Sequence, residues 1–231
     1  MPRIPLIEDL TTGPVPVGSN VLVEFDAASQ WYNASITMAA GWLRSGGNTS
    51  YNVSTQPPEN IRAQLTRLVL NLEELGDKLR IIDWYSATLG LKSGEKISME
   101  SLKAADLSIS FSQSNLRGPA IPSTLRITDN FSVLDRFNAE KAWVEFWVSR
   151  HIPFASIRKS TAVSGLMKDV HSEWACKVLE GAVDGIVDFK LEEDGKTTRD
   201  IMRIRSMRNV GFNRDWHTLK ISDNFEITLE M

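Results

Sequence analysis

The chain has 231 residues, 42% of them hydrophobic and 24% charged, which is enough apolar material for a sizeable core in one domain spanning 1–231. A formal charge of −3 gives no electrostatic ground for nonspecific binding to nucleic acid or an anionic membrane, and a single cysteine, Cys176, excludes an internal disulfide. No stretch approaches 18 apolar residues, and the opening MPRIPLIEDLTTGPVPVG lacks the basic start and unbroken apolar run of a secretory leader, so a cytoplasmic protein is expected.

Apolar runs of strand length alternate with helix-period segments. Residues 21–25 read as a short buried strand, after which Ile36, Ala39, Ala40 and Leu43 recur at i, i+3, i+4 and i+7. Residues 48–54 are a second strand; Pro57-Pro58 suits a helix start, and Ile61, Leu65 and Leu68 stripe the helix that follows. Residues 79–82 form a third strand, GLKSGEKIS an exposed loop, and Leu102, Ala105 and Ile109 mark another helix. Residues 125–128 lead as a strand into Asp129; Asn138 is placed to cap the helix carrying Trp143, Phe146 and Trp147, and residues 152–157 read as strand. Beyond Val183 the pattern changes to two hairpins, one turning at Asp194-Gly195 and one within HTLKISDNFEITLE. Strands separated by helices predict a mainly parallel sheet, closed by an antiparallel C-terminal extension.

Five phrases, in order, resemble the RecA/KaiC-like ATPase family. TTGPVPVGSNVLV is similar to its entry into the first strand; RAQLTRL with KLRIID, LRITDNFSVL, VDGIVDF and IRSMRN match later ones. The resemblance implies a RecA-like three-layer αβα fold, but function must be argued from the site. The family lays a triphosphate on the amides of a glycine-rich loop, with a lysine on the phosphates and a hydroxyl on Mg²⁺. Alignment puts Phe25 and Gln30 at the loop's glycines, Trp31 at the lysine and Tyr32 at the magnesium-binding threonine. Side chains at 25 and 30 hinder a phosphate nest, and Trp31 offers no charge. The family's glutamate pair, one member of which polarises the attacking water, falls on Thr55 and Gln56. Its trans-acting basic phrase becomes Ser206-Met207-Arg208, while Asp129 and Ser132 retain its Walker B aspartate and the serine after it.

The expectation is a pseudo-ATPase with no catalytic residue, cofactor or metal, acting through an unknown protein partner or copies of itself. If Phe25, Trp31 and Tyr32 point outward they face Arg208 of a neighbouring subunit; if inward, they fill the vacated phosphate cavity. The alternatives are a nucleotide-dependent switch or enzyme built around Asp129, Arg158 and Arg208, and a DNA-recombination accessory protein. His151, His171 and His217 lack metal-ligand spacing and read as satisfied or surface histidines. The arginines at 199, 203, 205, 208 and 214 read as a salt-bridged sheet face or as an anion or partner site, and most tryptophans as packing.

Overall fold

A computed structural model of the chain describes residues 2–68, 71–116, 121, 123–195 and 197–230. The continuous run NVLVEF forms β1 (Asn20–Phe25), buried along its whole length, as only a strand in mid-sheet with both faces covered can be. β6 (Thr161–Met167) and β7 (Gly185–Asp194) flank it in parallel. Beyond β6 lie β5 (Thr124–Thr128), β2 (Asn48–Val53), β3 (Leu79–Asp83) and the short β4 (Ile97–Ser98). On the other side β8 (Thr197–Met207), β9 (His217–Ile221) and β10 (Ile227–Leu229) run antiparallel, giving the order β10-β9-β8-β7-β1-β6-β5-β2-β3-β4.

The chain steps from β1 through β2 to β3 in one direction across this sheet and from β5 through β6 to β7 in the other. Because such crossovers are right-handed, the two directions deliver helices to opposite faces. α1 (Trp31–Arg44) and α2 (Pro58–Leu68) cover one, with Ile61, Leu65 and Leu68 all buried at helical spacing, each burial stabilising by roughly 1.5–3 kcal/mol. After a single turn, α3 (Tyr85–Thr88), the other face receives α4 (Ala104–Leu116), α5 (Glu140–Phe146), α6 (Ile152–Ile157) and α7 (Glu173–Ala182). The result is the expected three-layer α/β architecture with C-terminal antiparallel hairpins.

Three local expectations are corrected. Residues 152–157 are helix α6, joined to α5 through a π-helical turn at Trp147–His151, and the strand expected there is β6, nine residues later. Asn138 does not cap the helix beginning at Glu140; its Oδ1 accepts from Ala104 N–H at 2.7 Å and so caps α4. The loop from residue 90 ends in β4, paired with β3. Trp42, Trp84, Trp143 and Trp147 are buried as expected, whereas Trp174 is exposed and Trp216 lies between Lys190 and Arg203.

Candidate functional site

In sheets wound in both directions, ligands bind at the carboxyl ends of the strands where the winding reverses. Here that edge gathers residues 26–30 after β1, 54–56 after β2, 129–132 after β5 and Lys168 after β6.

The segment after β1 is filled from within. Trp31, the first residue of α1, is fully buried, and its indole N–H donates to the carbonyl oxygen of Asp129 at 2.6 Å. Its ring packs on Phe25 at a centroid distance of 6.0 Å and edge-on against Phe189 at 5.6 Å. Space for it comes from Gly165 in β6, where an added Cβ would stand 2.4 Å from the indole nitrogen and 2.3 Å from the Asp129 carbonyl oxygen. Phe25 is also fully buried; Tyr32 is partly buried, edge-on to Phe25, and its hydroxyl is held well protonated, its pKa raised to about 12 by burial and then by Asp129. Thus Phe25 and Trp31 point inward, and the outward arrangement that would offer them to a neighbouring subunit is corrected. Three amides of the loop already have internal acceptors: Asp26 N–H donates to Phe189 O, Ser29 N–H to Asp26 O, and Gln30 N–H to Asp200 Oδ1 at 3.1 Å. Burial raises the Asp200 carboxyl's pKa, an effect opposed by this bond.

Asp129 is fully buried and densely bonded. Its carboxylate accepts from Ser54 Oγ at 2.6 Å, Thr55 Oγ1 at 2.7 Å and Asn130 N–H at 2.7 Å, as well as from the amides of Ser54 and Thr55. Burial drives its pKa upward while these donors pull it back. Thr55 therefore holds the aspartate, and the neighbouring Gln56 accepts from Gln64 Nε2 at 3.4 Å. Ser132 turns elsewhere: its Oγ accepts from Met167 N–H at 2.9 Å and sits 2.8 Å from His171 Nε2.

No family model and no curated protein matches the sequence. Among solved structures, KaiC-like protein PH0186 from the hyperthermophilic archaeon Pyrococcus horikoshii OT3 is similar over 100% of this chain and 97% of that one, with a TM-score of 0.69 and 14% identity. The chain has a RecA/KaiC-like fold.

Within the RecA/KaiC-like fold the remaining positions do not converge. Arg158 precedes β6 and Arg208 follows β8 beside the start of β7, so both lie at the edge of the sheet opposite Asp129. Leu125 to Asp129 alone spans roughly 13 Å at ~3.3 Å per residue. The alternative site combining Asp129, Arg158 and Arg208 within one chain is corrected on that ground. Arg208 is exposed and donates to Gly181 O at 3.2 Å; Ser206, partly buried, pairs with Ile186 across the ladder. The salt-bridged reading holds for Arg203 and Arg205, which face Asp188, Glu24 and Glu180 from one side of β8.

The histidines depart from expectation. His151 is buried with neither ring nitrogen partnered, and burial keeps it neutral. His171 meets Asp135 and Glu140, the three offering ligand atoms within 4.8 Å of one another, a juxtaposition their sequence spacing did not indicate. Sequence reasoning also missed Ser54, Gly165 and Asp200; only Ser54, next to the water-activating positions, carried a local signal. No helix among the described residues is long and apolar enough to cross a membrane.

Proposed function

We propose that this single RecA/KaiC-like domain is a non-hydrolysing member of its fold, serving as a regulatory or protein-interaction module. The fold is that of an ATPase family and by itself argues for catalysis; the site argues against it, and chemistry resides in the site. The observation that carries the reading is the buried Trp31 indole, bonded to the Asp129 carbonyl where the family's lysine would meet phosphate. An indole supplies no positive charge, and a hydrogen bond to a charged group contributes about 1.5–3 kcal/mol. Three of the loop amides that would face an anion, those of Asp26, Ser29 and Gln30, are engaged by Phe189, Asp26 and Asp200. Thr55, hydrogen-bonded to Asp129, has no basicity with which to activate water, help that is typically worth 10²–10⁴-fold in rate.

The partner we infer is a protein, either another chain or a second copy, reached through surfaces other than Phe25 and Trp31. A net charge of −3 favours neither nucleic acid nor an anionic membrane. Thermal unfolding with millimolar Mg·ATP tests the reading, because a ligand of the native state raises stability by RT ln(1 + [L]/Kd). The melting temperature is expected to stay constant across the titration, and a saturable rise overturns the proposal.

A further inference from the structure

Away from the strand ends, a cavity of about 220 Å³ lies between the face of β2, β3 and β5 and the helices α4 and α6. Its charged lining is Arg80, Arg126 and Arg158; the rest is apolar, amide or hydroxyl, and no Asp or Glu lines it among the described residues.

Arg126 sets the chemistry. It rises from β5 in the middle of the sheet, is 7% exposed, and its guanidinium carbon lies 4.2 Å from the Phe154 ring centroid and 5.6 Å from that of Phe111. Its Nη1 is buried without a hydrogen-bond partner. Burial, then the charge of Arg158, lowers its pKa to about 9, which still leaves it cationic at neutral pH. The neighbouring His151 adds no second cation, since burial and Arg126 together hold it neutral. A buried cation with no anion is strongly unfavourable, and a fork of N–H donors is matched by a planar or tetrahedral oxyanion.

We propose that this cavity binds a small organic anion, whose carboxylate or phosphoryl oxygens pair with Arg126 while a compact apolar body lies on Phe111, Phe154 and Met99. The unpartnered guanidinium of Arg126, with Arg80 and Arg158 on the same wall, selects negative charge, and the aromatic and thioether walls select an apolar remainder. The volume corresponds to about seven waters at ~30 Å³ each, room for roughly ten non-hydrogen atoms of ligand within the pocket itself. The site is separate from the loop after β1 and stands or falls independently of the reading given for that loop.

Titration calorimetry and thermal unfolding of the full chain with phenylacetate, phenyl phosphate, benzyl alcohol and inorganic phosphate test it. At least one of the two organic anions is expected to bind one-to-one and raise the melting temperature, and the better of them identifies the head group. Benzyl alcohol and inorganic phosphate, each lacking half of the recognition, are expected to bind at least tenfold more weakly. Arg126→Met is expected to weaken the anion by about 10–100-fold, the range for a lost hydrogen bond to a charged group, and its own cooperative melt certifies that it folds. Absence of binding by both organic anions, equal binding of benzyl alcohol or inorganic phosphate, or undiminished binding in Arg126→Met overturns the proposal.

Discussion

Replacing Trp31 by alanine removes the side chain on which the interpretation of the strand-end site depends. The indole is fully buried against Phe25 and Phe189, so truncation leaves a cavity that the sheet and α1 close only in part. Tryptophan-to-alanine changes in cores destabilise by about 3–5 kcal/mol, of which the lost bond to Asp129 O accounts for about 1 kcal/mol. For a chain of this length each kcal/mol moves the melting temperature by about 2–4 °C, so a fall of about 6–20 °C is expected. Trp31→Phe keeps most of the packing and loses the donor, and a loss of about 1–2 kcal/mol follows. Urea unfolding followed by far-ultraviolet circular dichroism measures both. A Trp31→Ala loss below about 1 kcal/mol would mean that the indole is not a core residue, and the case for an occupied phosphate site would fail with it.

Gly165→Ala drives a Cβ against the Asp129 carbonyl and the indole, and a loss of about 1–3 kcal/mol is expected, with part of it recovered in combination with Trp31→Ala; full additivity in a double-mutant cycle contradicts the shared contact. Arg126→Met exchanges an unpartnered buried cation for an apolar side chain of similar length and is expected to raise unfolding free energy by about 1–4 kcal/mol in ligand-free protein, with a decrease counting against an uncompensated charge. Glu24, beneath Arg205 and Glu180, has its pKa raised from 4.5 to about 7, chiefly by burial. Between those values the folded carboxyl holds a proton that the unfolded chain has lost, so stability falls as pH rises through the window, by about 1–3 kcal/mol at 1.36 kcal/mol per pH unit. Urea midpoints at pH 5 and pH 7.5 are expected to show the fall and Glu24→Gln to diminish it; an unchanged pH dependence in the variant assigns the effect elsewhere.

The strand-helix alternation was legible because period and length agree in most segments: residues 21–25, 48–54, 79–82 and 125–128 all fall within or beside strands of the sheet, and both C-terminal hairpins form. The stretch 152–157 misleads because a short apolar run fits a buried strand or a buried helix equally, and here it continues the helical path from α5 through the π-helical turn. The true strand, TAVSGLM, hides its nature behind Ser164 and Gly165, residues that weaken a strand signal. Site positions could be aligned, yet the orientation of Trp31 could not be read locally, since it is decided by a glycine more than a hundred residues further on and a carbonyl at Asp129. The arginine-lined cavity is invisible in sequence for a similar reason: residues 80, 126 and 158 belong to β3, β5 and the turn after α6, and only sheet order makes them neighbours.

The ten-stranded sheet ends on β4, two residues long, at one margin and on β10, three residues long, at the other. A short margin offers too few free amides and carbonyls in register for a foreign strand to zip onto it. Growth of this sheet into a neighbour's is thus disfavoured at β4 and β10 themselves. A companion is therefore expected to be recognised by side chains displayed on the helical layers and loops, and scanning exposed side chains is the way to seek its surface.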